Sequence, residues 1–205
     1  MQQTQSRINL YALLSRIMLQ ELDVEMLKMI KNDETILEFF PTLKEWKPLY
    51  EVPEEKLLNE VINPDFVNLS VLHLIPYETF YTRDDQMIET GGANPVTDMY
   101  SAYDFMVDFE VARTLSADHI GVELEFMHHL ATAELKAEEE GDVEAVKELR
   151  RVEHEFLNKH LLRWAPLYLI NMKYEARTPL YFDGAEMALE YMLSDNEYLT
   201  KEISA

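Results

Sequence analysis

Cysteine is absent, which excludes a disulfide framework, a Cys-ligated zinc or iron–sulfur site and a thiol nucleophile. Glycine and proline are scarce, with 5 and 8 in 205 residues, so a turn-rich sandwich is a poor description. Because 47% of the residues are apolar, a disordered chain is a poor description too. Basic residues are outnumbered 39 to 18 by acids, giving a net charge of −21. Arg150-Arg151 is the longest basic cluster, so nucleic acid and anionic lipid lack the basic footprint that they need. A positively charged partner is the better expectation. No run of 18 apolar residues occurs, which leaves no candidate membrane span. The N-terminus has no basic cluster ahead of its apolar part and no small-residue cleavage site, and the expected location is therefore cytoplasmic.

What is present is helical periodicity. Leu10, Leu13, Leu14, Ile17 and Met18 make one stripe of an amphipathic helix. Asp23 and Asp33 are placed as N-caps, the second for a helix ending near Phe40 because of Pro41. Pro53-Glu54-Glu55 and Pro64-Asp65 read as helix starts. From Phe66 the run FVNLSVLHLIPYETFY is apolar almost all round and predicts a helix buried in the middle of the molecule. Residues 83–98 break the periodicity and predict a functional or mobile loop. Thr97 or Asp98 is then expected to cap a helix through about Arg113, and Ser116 the next helix, to about Glu140. Gly141 and Asp142 mark a stop and a new start. A bend or an interruption is expected near Pro166, and a last helix over roughly 184–202. The prediction is an all-α, single-domain helical bundle of about ten helices spanning residues 1–205.

Two segments concentrate chemistry. In Asp118-His119-Ile120-Gly121-Val122-Glu123-Leu124-Glu125-Phe126-Met127-His128-His129, three imidazoles lie near two carboxylates at helical spacings. Glu125-x-x-His128 matches half of a di-iron pattern, but no second Glu-x-x-His exists, so no metal site is assigned and salt bridging or capping is the plainer expectation. His119, at the positive end of a helix, is expected to be neutral. In Ile75-Pro76-Tyr77-Glu78-Thr79-Phe80-Tyr81, aromatics gather beside a break, fit either for a pocket wall or for the core. The 11 methionines suit adaptable apolar packing or recognition of varied apolar peptides. No phosphate loop or nucleophile elbow is found, so no catalytic residue and no cofactor are assigned, and binding outranks catalysis.

Pro76-Tyr77-Glu78-Thr79-Phe80-Tyr81 and the Asp118-His119 segment together resemble the motifs of the TorD/DmsD/NarJ family of redox-enzyme maturation chaperones. Phe156-Leu157-Asn158-Lys159-His160-Leu161, leading to Trp164-Ala165-Pro166, looks like that family's third motif. Ile75 stands where many members have a second proline, and Ser116-Ala117 where many have Glu-Pro. The resemblance implies an all-α cytoplasmic chaperone, not an enzyme, which binds a molybdoenzyme precursor or its twin-arginine leader, assists cofactor insertion and delays export. It implies peptide contact through Pro76, Tyr77, Glu78, Tyr81, Asp118, His119 and Glu123, and a monomer or helix-exchanged dimer. Two alternatives remain: a chaperone for the mature part of a non-exported molybdoenzyme, and a metal-dependent helical-bundle hydrolase. A leader presents a basic segment and then an apolar one, so carboxylates beside adaptable apolar side chains suit it physically.

Overall fold

A computed structural model describes residues 1–204. All regular elements among them are helical, and the one β-type pairing is an isolated antiparallel bridge between Tyr77 and His119. The all-α expectation holds. Several helices are single turns of four residues, such as Glu34–Leu37 and Pro41–Lys44, because caps and prolines follow one another closely. The chain divides into two compact units, each described separately below.

The first unit holds residues 1–19, 77–166 and 191 onward. Its centre is the pairing of helix Gln2–Leu19 with helix Ile120–Glu140, which packs in turn on Val143–Phe156. The predicted stripe of the first helix buries Leu13, Leu14, Ile17 and Met18, and Tyr11 joins them. Gly121 allows the two helices to approach closely. A Cβ there would lie 2.8 Å from Leu19 Cβ and 3.0 Å from its Cα, while Ser15 Oγ donates to the Gly121 carbonyl at 2.8 Å.

Sequence patterning gave no sign of a buried charge on this helix, yet Arg7 is 1% exposed. Its guanidinium pairs with Glu134, Glu153 and Asp195, one acid from each of three other helices. Tyr11 donates to Asp195 Oδ2 at 2.6 Å. Burial alone lowers the affinity of Arg7 for its proton, but Glu153 and Asp195 more than restore it. Burial raises the Glu153 carboxyl to about 8 against the pull of Arg7.

The second unit holds residues 20–76 and 167–190. Asp23 and Asp33 are the predicted N-caps: Asp23 accepts from Met26 N, and Asp33 from Thr35 N and Ile36 N. Pro41 and Pro48 sit in first turns, where a missing N–H costs nothing. Asp65, read from sequence as a first-turn acid, does more. It is buried and accepts from Arg177 N, Thr178 N and Thr178 Oγ1, so it fixes the start of the helix Pro179–Ser204.

Five expectations need correction. The run from Phe66 is not buried all round: Phe66 and Leu69 are, but Val71 and Leu72 are 67% and 70% exposed on a wide π turn, Asn68–His73. The helix expected from Thr97 to Arg113 stops at Ala102, because Asp104 and Arg113 adopt left-handed φ values of 55° and 54°. Ser116 does not cap the following helix; its hydroxyl serves Glu89 and Asp118, and His119 is the cap. Pro166 lies inside helix Leu162–Glu175, and the break comes earlier, as a π turn over Leu157–Leu161. Widening one turn accommodates the hydrogen bond that proline cannot make. Finally, Pro179 starts the last helix and Gly184 lies within it.

Candidate functional site

Tyr77 and Asp118-His119 meet because both chains are extended just before a helix. The Tyr77–His119 bridge is closed by Glu78 N donating to the Asp118 carbonyl at 3.0 Å. The Tyr77 ring stands edge-on to the His119 imidazole with centroids 5.1 Å apart, and its hydroxyl accepts from Leu115 N at 3.1 Å. Burial pushes the Tyr77 phenol above its ordinary range. Of the seven candidate residues, Tyr77, Glu78, Tyr81, Asp118, His119 and Glu123 are brought together in the first unit. Pro76 belongs to the second, where it closes the segment 20–76.

Asp118 is fully buried and spends its carboxylate on its own chain. Oδ2 accepts from Thr79 N and Thr79 Oγ1, each at 2.7 Å, and Oδ1 from Asn94 Nδ2 at 2.9 Å and Ser116 Oγ at 2.5 Å. Asn94 also donates to the Glu89 carbonyl, and Glu89 N donates to Thr79 Oγ1. The aperiodic loop 83–98 is therefore pinned at Glu89 and Asn94 to both motifs. His119 accepts from Gly121 N through Nδ1, and burial pushes its imidazole down to about 3 despite neighbouring Asp118. A neutral ring is what that hydrogen bond requires. His128 and His129 face elsewhere, to the carbonyls of Ile8 and Tyr103.

Glu78 and Glu123 form a second buried layer, 2% and 0% exposed. Glu78 Oε2 lies 2.9 Å from His160 Nδ1, and Glu123 Oε2 accepts from Trp164 Nε1 at 3.2 Å. Burial, then the charges of Glu78 and Asp118, push the Glu123 carboxyl well above the usual carboxylate range. Its Oε1 is buried without a hydrogen-bond partner. Tyr81 is the accessible member of the group. Its ring stacks on Trp164 at 5.4 Å and meets Phe80 edge-on at 5.2 Å, and burial lifts its phenol to about 12.

Sequence reasoning assigned no role to Thr79 or Asn94 and made Ser116 a helix cap, whereas all three satisfy Asp118. No local signal marks Thr79 and Asn94, since their bonds to Asp118 span 39 and 24 residues. His160 and Trp164 had a signal, the third motif, and the structure joins them to the other two through Glu78, Glu123 and Tyr81. The arrangement can brace a loop and present aromatic and apolar surface beside it.

Comparison with known proteins agrees with this junction of motifs. The family model described as the nitrate reductase delta subunit matches residues 54–169, more than half of the chain and all three motifs. Two relatives named chaperone protein TorD, from the Ogawa 395 and El Tor Inaba strains of Vibrio cholerae serotype O1, are 24% and 23% identical. The alignments cover 63% and 61% of this chain and 56% and 54% of theirs, so the chain spans about half the length of the curated relatives it matches. No solved structure matches. The chain belongs to the nitrate reductase delta subunit family, whose TorD- and NarJ-type members are maturation chaperones and not enzymes.

Proposed function

We propose that this chain is a maturation chaperone that holds a molybdoenzyme precursor in the cytoplasm, through its twin-arginine leader or its cofactor-free form, while the cofactor is inserted and export waits. Residues 1–205 work in this reading as one chaperone domain. The observation that carries it is the family match over 54–169, within which the three motifs converge on one braced cluster. A net charge of −21 supports a cationic ligand. No helix among the described residues is long and apolar enough to cross a membrane, which supports work away from the bilayer.

In this role the motif residues divide their labour. Glu78, Asp118, His119 and Glu123 hold the frame from inside, Tyr77 ties it to Leu115, and Tyr81 offers a ring to the client. Calorimetric titration with a twin-arginine leader peptide, against a Lys-Lys counterpart, tests it. Heat of binding is expected for the first; no binding by any leader or full precursor overturns the function.

Burial of the motif acids favours a second reading, in which the mature part of the enzyme is the client. None of Glu78, Asp118 or Glu123 reaches solvent to clasp an arginine pair. A leaderless precursor that still co-purifies with the chaperone supports it.

A further inference from the structure

With the motif acids occupied internally, a cationic peptide must be met by other, exposed groups. Residues 104–115, DFMVDFEVARTL, have unusual construction. The backbone turns through two non-glycine residues in the left-handed region, Asp104 and Arg113. Phe105 anchors one end, its ring 4.9 Å from Tyr100 and 5.3 Å from Phe126. Ala112 and Thr114 are buried at the other end, next to the bond from Leu115 N to Tyr77. Outside these anchors the apolar side chains point to water: Met106 is 88% exposed, Leu115 71%, Val111 66% and Phe109 48%.

Acids are interleaved with them. Asp104, Asp108 and Glu110 are exposed beside a single exposed base, Arg113, and none of the three acids is in an ion pair among the described residues. Asp108 also fixes the short helix Phe109–Ala112 by accepting from Glu110 N and Val111 N. Several large apolar side chains exposed on one short segment with a strained backbone mark an interaction site.

We propose that residues 104–115 are the docking surface for a client peptide in which a basic stretch adjoins an apolar one. The proposal rests on the leader reading above and names where the leader is held. Charge selects the occupant. On the second unit, the exposed stripe Leu167, Ile170 and Tyr174 has Lys173 and Arg177 as sequence neighbours and no excess of acids. The groove of about 370 Å3 beside His160 sets Arg151 and Lys159 against Asp98 and Glu155 and so has no excess of acids. A second copy of the chain would set Asp104, Asp108 and Glu110 against like charges.

The test uses the full chain and a synthetic peptide with Arg-Arg followed by an apolar run of about ten residues that carries a benzophenone. Photo-crosslinks are expected within 104–115. In fluorescence anisotropy, the triple variant Met106→Ser, Val111→Ser, Leu115→Ser should bind about ten-fold or more weakly. Its circular dichroism and thermal midpoint should be unchanged, because all three side chains are exposed. The control variant Leu167→Ser, Ile170→Ser should bind within about two-fold of the parent. A parent that binds the peptide while the triple variant binds it equally overturns the surface alone. Crosslinks confined to other residues do the same, as does a parent dimer that the triple variant dissociates and the peptide does not. A parent that binds neither this peptide nor its Lys-Lys counterpart overturns the leader reading and the surface together.

Discussion

Asp118 gathers four donors from three parts of the chain, and its removal takes the acceptor from Thr79 N and Thr79 Oγ1 and leaves Asn94 and Ser116 held only through Glu89 and each other. Asp118→Ala should lower the unfolding free energy by about 2–4 kcal/mol in urea titration and release the loop 83–98 to proteolysis. His119 supplies a pH signature. Its pKa is depressed to about 3, so its contribution is fully present above about pH 6.5 and lost as pH falls toward that value. Glu153, raised to about 8, works in the opposite sense and loses its contribution as pH rises from about 4.5. His119→Asn keeps a cap acceptor and removes the titration, so relative to the parent it should gain about 2 kcal/mol on going from pH 7 to pH 5. The neutrality of His119 was readable from its place at a helix start. Its capping role was not, because Ser116 is the better cap by type and is diverted by bonds to Glu89 and Asp118.

Helix starts written in local chemistry could be read directly: Asp23, Asp33 and Asp142 cap, and Gly141, at φ 72°, stops. Starts decided by distant partners could not. Nothing in residues 97–113 announces that Phe105 will turn inward onto Tyr100 and Phe126 and force Asp104 to a left-handed φ. Apolar spacing also overstated burial at Val71 and Leu72, since periodicity reports which face is apolar and not whether anything covers it. The pairing of helices Gln2–Leu19 and Ile120–Glu140 gives the sharpest test at this scale. Gly121→Ala places a methyl against the Leu19 backbone, and overpacking of this kind should cost about 1–3 kcal/mol, seen as a lower urea midpoint at constant slope.

For the whole molecule, charge governs encounter. The association rate of an Arg-Arg peptide should fall as salt rises from about 0.01 to 0.15 M in stopped flow, because screening shortens the reach of the acidic surface. The net charge was plain in the sequence, but its distribution was not. Some acids face water around 104–110, while Glu123 and Glu153 lie fully inside. Burial makes both hold a proton more tightly than they would in the unfolded chain, whereas His119 holds one less tightly. Melting this protein at pH 7 therefore acidifies its surroundings. Scanning calorimetry should record a smaller apparent enthalpy in Tris, which takes up protons with much heat released, than in phosphate, which takes them up with little. The difference measures the protons that the folded chain keeps in its interior.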